Sequence, residues 1–208
     1  MGLFVTFEGI EGSGKSTQVK LLHDYLATTS IPFVTTREPG GTPIGERLRE
    51  LLGDPHANIS AETETLIFNA SRAQLVADVI EPALAASKLV VCDRFWDATL
   101  AYQGYARGLN VETVTRITLF AARDLSPDIT FLLDIPVSVL QERIHGRRHG
   151  RDRMEREQST FHEKVSEGYR RLAQAEPERI VVLDGTRPKE KLADIIRDRV
   201  LSRWEASV

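Results

Sequence analysis

Cysteine is nearly absent. Cys92 is the only one in 208 residues, so no disulfide can form within one chain. Such usage suits a reducing compartment. Long apolar runs are also missing, and no stretch approaches the roughly 20 residues of a membrane span. The N-terminus enters an apolar strand pattern without the basic start and extended apolar core of a secretory leader. A net excess of one charge is lacking as well. The 27 Lys and Arg against 30 Asp and Glu leave a formal net charge of −3, which calls for neither a nucleic acid nor a membrane surface as partner. Internal repeats, low-complexity tracts and linkers are absent too. A cytoplasmic protein of one compact domain, residues 1–208, is the expectation.

What is present is an alternation. Gly2–Glu8, Phe33–Arg37, Leu89–Cys92, Ile129–Asp134 and Ile180–Leu183 are short, rich in Val, Ile, Leu and Phe, and largely without polar alternation. Strands of a parallel sheet covered on both faces have this character. The segments between them are long enough for helical crossovers. In the last segment Leu192, Ile195, Ile196 and Val200 fall on one helical stripe, and Pro188 suits its first turn. The pattern predicts an α/β fold of three layers, a five-stranded parallel sheet with helices on both faces.

Gly9-Ile10-Glu11-Gly12-Ser13-Gly14-Lys15-Ser16 matches GxxxxGK[ST] in full. A strand precedes it and an amphipathic segment, Gln18–Leu26, follows. The residue types serve one chemistry. Gly9, Gly12 and Gly14 let the backbone curl so that successive N–H groups, those of Ser13 and Thr17 among them, face phosphate oxygens. The helix start adds positive potential. Lys15 reaches the β- and γ-phosphates, and the Ser16 hydroxyl ligates Mg²⁺. A nucleoside triphosphate site on a P-loop NTPase fold is predicted. The guanine-reading NKxD segment of GTPases and the LSGGQ-like signature of ABC-type ATPases are both missing.

Two further segments depart from the background. Arg37–Thr42 (REPGGT) is a Pro/Gly-rich loop directly after a strand. Arg143–Glu157 (RIHGRRHGRDRMERE) carries six arginines around two glycines. A solvated charged face is one reading of the second stretch. A lid over about 143–157 is the other.

With Asp93-Arg94-Phe95, Ala101-Tyr102-Gln103-Gly104, Phe68-Asn69-Ala70-Ser71-Arg72 and Arg151-Asp152-Arg153-Met154-Glu155 added, the chain closely resembles thymidylate kinases of the bacterial type. The resemblance runs from the first strand to the helix around Tyr169. It implies transfer of the ATP γ-phosphoryl group to dTMP, with Mg²⁺, in dTTP biosynthesis. It also implies a homodimer packed through helices, within Ala61–Ala86 and Val111–Ala122. By resemblance, Arg94 bridges the two substrates' phosphates, and Asp93 lies near the metal and the attacking oxygen. Arg37 holds the acceptor phosphate, Glu38 beside it orders that arginine or a metal-bound water, and Arg49 assists. Phe68 stacks on thymine, Arg72 donates to its 4-carbonyl, and Thr99 and Gln103 face the base. Tyr102 crowds the 2′ position of the sugar, and Glu11 approaches the 3′-hydroxyl. Gly12 stands where eukaryotic-type members carry a basic residue. The resemblance therefore assigns the missing catalytic charge to Arg147, Arg148, Arg151 or Arg153, unranked. A kinase for another acceptor, with dUMP as a second substrate of the same site, stays open. So do a nucleotide-dependent switch and a binding-only relative.

Overall fold

A computed structural model describes residues 2–145, 153 and 157–207. In chain order the elements are β1 (Leu3–Glu8), α1 (Lys15–Leu26), β2 (Phe33–Arg37), α2 (Pro43–Gly53) and α3 (Ala61–Leu75). A π-helical turn, Val76–Ile80, leads to α4 (Glu81–Ala85), β3 (Leu89–Asp93) and α5 (Trp96–Thr99). A second π-helical turn, Leu100–Ala106, is followed by α6 (Val111–Ala122), β4 (Ile129–Asp134), α7 (Val137–His145), α8 (Ser159–Ala175), β5 (Ile180–Asp184) and α9 (Lys189–Ser207). Local chemistry sets several starts. The Thr42 hydroxyl caps α2 at Gly45 N with Pro43 in the first turn, and Ser60 caps α3 at Thr63 N.

The five strands form one parallel sheet in the order β2-β3-β1-β4-β5. Strand periodicity sorts β1 between two cores. Leu3, Val5 and Phe7 pack with Val19, Leu22 and Leu26 of α1 and with Leu192, Ile196 and Val200 of α9. Phe4 faces the other way, toward Leu75, Val76, Ile80 and Tyr169. Thr6 and Glu8 are buried as well. Burial on both faces holds for β1, β3 and β4. It fails at the edges: β2 is half-buried, and Val182 in β5 is exposed, because an edge strand lacks a neighbour on one side.

The register aligns Phe7 and Arg37 with Asp93. The carboxyl ends of β1, β2 and β3 therefore lie level. In open α/β sheets, ligands sit in the crevice beyond such ends, where the strand order reverses.

Candidate active site

The loop from Gly9 to Gly14 joins β1 to α1. Gly9 has φ 137° and Gly14 φ 104°, values that disfavour any side chain. A Cβ on Gly9 would also lie 2.5 Å from the Leu133 carbonyl oxygen. Lys15 folds back over this loop and donates to the carbonyls of Gly9 at 2.9 Å and Ile10 at 2.8 Å. Burial, then the neighbouring Arg94 charge, pulls its pKa down to about 8. Phosphate in the loop favours the charged form. Ser16 donates to Asp93 Oδ2 at 2.6 Å, so the first turn of α1 meets the end of β3. Thr17 is exposed one residue on.

Arg94 follows β3 with φ 71°, a left-handed conformation that is costly for arginine and concentrates at functional sites. The turn is pinned by Arg94 N donating to Phe7 O at 2.9 Å. It carries the guanidinium to Glu11 Oε1 at 2.9 Å, Tyr169 OH at 3.0 Å and Tyr102 OH at 3.3 Å. Tyr102 in turn donates to Glu11 Oε2, and Tyr169 to Glu8 Oε2, both at 2.7 Å. Burial pushes both phenols up, so they remain donors. Burial also pushes Glu11 up, but Arg94 and Lys15 outweigh it and hold the carboxyl below its usual range. Glu8 differs. Burial and then the Asp97 charge raise it to about 7, and its Oε1 accepts from Phe95 N at 2.7 Å.

Arg72 is 1% exposed. Its Nε and Nη2 grip Glu38, the latter at 2.6 Å, and Nη2 also reaches Thr99 Oγ1 at 3.0 Å. Nη1 donates to Asn69 Oδ1 at 2.8 Å. Of the five guanidinium N–H groups, one on Nη1 is taken by none of these partners. Ordering of Arg37, one of the two roles expected of Glu38, is thereby corrected. Successive side chains leave an extended chain on opposite sides, so Glu38 turns inward to Arg72. Arg37 turns outward and pairs with Glu46 at 2.9 Å. Arg49 donates to Pro39 O at 2.9 Å.

These groups line one cavity of about 520 Å³. Glu11, Gly12, Lys15, Ser16, Asp93 and Arg94 line it together with Phe68, Arg72, Thr99 and Gln103, and with Tyr102, Arg37, Glu38 and Arg49. Tyr102 and Gln103 belong to the π-helical turn, where Arg107 N bonds Tyr102 O five residues back at 2.8 Å. Such turns recur at functional sites.

A thymidylate kinase family profile matches residues 7–196. The chain belongs to the thymidylate kinase family. It is 47% identical over 190 residues to the thymidylate kinase of Kosmotoga olearia, covering 91% of each chain. The thymidylate kinase of Geotalea uraniireducens is 44% identical over 209 residues, covering 98% of both. The crystal structure of thymidylate kinase from Ehrlichia chaffeensis superposes with a TM-score of 0.75 at 33% identity, covering 96% of this chain and 98% of that one.

Arg147, Arg148 and Arg151 lie outside the described residues. Arg153 is described, and it pairs with Glu64 and donates to Leu52 O at 3.0 Å. Sequence reasoning missed Arg143. This residue donates to Gly12 O at 2.7 Å and to Gly185 O at 3.1 Å. Its place at the head of the arginine-rich stretch was the available signal. Glu8 and Glu64 were missed as well. A carboxylate inside an apolar strand, FVTFE, marks the first; nothing local marks the second.

Proposed function

We infer that this protein transfers the γ-phosphoryl group of ATP to dTMP, giving dTDP and ADP, as a step toward dTTP. The observation that carries the reading is a single cavity. Lys15, Ser16, Asp93 and Arg94 line it together with Phe68, Arg72 and Gln103. In this reading the ATP phosphates lie in the Gly9–Thr17 loop. The acceptor phosphate lies between Arg37 and Arg94, and thymine stacks on Phe68. The acceptor oxygen is already ionised at neutral pH. Catalysis is therefore alignment and charge neutralisation rather than base catalysis.

Arg94 is held rigidly by Glu11, Tyr102 and Tyr169, so its charge needs little reorganisation as the transferring group develops charge. Arg143 on the Gly12 carbonyl supports the proposal that the arginine-rich stretch supplies charge absent from the P-loop. The three arginines outside the described residues remain part of that proposal. Closure of the stretch over the site would exclude water and prevent idle ATP hydrolysis.

Among the described residues no three His, Cys, Asp or Glu side chains are placed to hold a metal. Ser16 and Asp93 nonetheless suit Mg²⁺, which keeps several waters and takes phosphate oxygens beside one or two protein ligands. These two would hold it, and it would neutralise phosphate charge there. No helix among the described residues is long and apolar enough to cross a membrane. A cytoplasmic location and a homodimer are further proposals. For the dimer, the support is that Leu66 of α3 and Phe120 of α6 are 56% and 86% exposed.

The test is a panel of nucleoside monophosphates with ATP. ADP release should depend on dTMP and be weak with dCMP and dGMP. Release that ignores the added monophosphate, or that equals the dTMP rate with dCMP, would sink the reading.

A further inference from the structure

A glutamine amide has a donor end and an acceptor end. Which end faces a pocket decides what it reads. At Gln103 the choice is made by a neighbour. Its Nε2 donates to Glu64 Oε1 at 2.7 Å, and both side chains are 1% exposed. Gln103 lines the cavity, and its Oε1 accepts no hydrogen bond among the described residues.

Glu64 is surrounded by cations. Arg107 donates to both of its oxygens at 3.2 Å, and Arg153 pairs with Oε2. Burial pushes the carboxyl up, but the hydrogen bonds from Arg107 and Gln103 and the charges of Arg107 and Arg153 hold it below its usual range. An ionised carboxylate can only accept. Reversing the Gln103 amide would set its carbonyl oxygen against a carboxylate oxygen, with neither holding a proton. The clamp is itself braced. Arg107 stacks on Phe161 at 4.5 Å and pairs with Glu157 at 2.6 Å.

We propose that Glu64 is a specificity-determining positioning residue. By taking the NH₂ end of Gln103 it fixes the amide carbonyl as an acceptor facing the cavity, selecting a base edge that presents an N–H. This rests on the dTMP reading above. Thymine and uracil present N3–H at that edge, whereas N3 of cytosine is itself an acceptor. Arg72 contributes separately, through the opposite requirement at the 4-position. Two neighbours thus read adjacent atoms of one base, one accepting and one donating.

The experiment measures kcat and KM for dTMP and dCMP in wild type, Glu64→Gln, Gln103→Leu and the double variant. The amide in Glu64→Gln can offer either end, so Gln103 is released to reverse. The ratio of kcat/KM for dTMP over dCMP should fall about tenfold, the range of one buried hydrogen-bonding group left unsatisfied. The change should lie in the pyrimidine KM values and leave the KM for ATP in place. In the Gln103→Leu background, Glu64→Gln should not change the ratio further. Equal losses with both acceptors, or an undiminished effect without Gln103, would reduce Glu64 to a structural ion cluster. If the Glu64 variant fails to fold, wild type with dTMP answers the question by side-chain amide NMR. Gln103 NH₂ protons should show contacts to Arg107 and none to the base; contacts to the base overturn the proposal. Wild type that ignores dTMP overturns the functional reading instead. Wild type that uses dTMP, with discrimination intact in Glu64→Gln, overturns this inference alone.

Discussion

In the proposed phosphate site, most groups come from one continuous stretch, Gly9 to Ser16, joined by Asp93 and Arg94 from the end of β3. At the base end they come from β2's exit, α3, α5 and the second π-helical turn. There they act through side chains locked in buried ion pairs such as Arg72–Glu38. The first design should tolerate loss of its charge without loss of fold. The second, in the proposed reading, carries recognition and stability in the same atoms. Removing one member of a buried pair strands the other, which costs about 3–5 kcal/mol. A substitution at the base end should therefore damage both properties together.

The largest effect should separate them cleanly. Lys15→Ala is expected to lower kcat by about 10²–10³-fold or more, the scale of losing a key electrostatic group. The melting temperature should barely move, because a lysine held down to about 8 by burial adds little stability. A variant that melts much earlier would break the comparison.

Arg94→Ala comes next, with a loss of about 10²-fold in kcat/KM for dTMP. Arg199→Ala is the control, since that residue is exposed on α9. Equal small losses at both positions would remove Arg94 from the proposed role.

Glu38→Gln tests the base end. It leaves Arg72 buried without its countercharge, so about 3 kcal/mol should be lost. For a chain of this size that is a fall of about 6–12 °C in Tm. A normal melt with weakened dTMP affinity would mean that recognition and stability are separable here after all.

Glu8 offers a pH test. Its folded pKa is raised to about 7 from 4.5, so the native state binds the proton more tightly than the unfolded chain. Its contribution is favourable at low pH and is lost as pH climbs through that interval. Relative to Glu8→Gln, wild type should lose up to about 3 kcal/mol between pH 4.5 and 7 and then level off. A pH-independent gap between the two melting curves would contradict the assignment.

The smallest effect concerns Tyr102. Its ring, rather than its hydroxyl, is proposed to exclude a ribose 2′-hydroxyl, so Tyr102→Ala should narrow the preference for dTMP over its ribose counterpart. Tyr102→Phe should keep that preference. It should still lower kcat/KM for both sugars, because the hydroxyl donates to Glu11 at 2.7 Å and contacts Arg94. A relaxed preference in Tyr102→Phe would shift the role from ring to hydroxyl.

Much of this was legible in the linear chain. The five strands lie within a residue of their sequence-derived limits, since apolar runs bounded by turn signals are local features. The phosphate loop was legible for the same reason. A cradle made of consecutive backbone N–H groups requires glycine, lysine and serine at fixed spacing, and the family motifs pointed to Phe68, Arg72 and Gln103, which the structure brings to one cavity. The partners of those residues were not legible. Glu38 and Arg72 are 34 positions apart, and Glu64 and Gln103 are 39 apart. Nothing in either segment names the other, because a charge in sequence looks the same whether water or a buried countercharge will neutralise it. Alternation along the exit of β2 put Glu38 and Arg37 on opposite sides, but only tertiary packing decided that Glu38 meets Arg72 and that Glu64 takes the NH₂ end of the Gln103 amide. The linear pattern determined the chemistry available to this protein. The tertiary structure decided its orientation, since hydrogen-bond direction depends on what lies across a contact rather than along the chain.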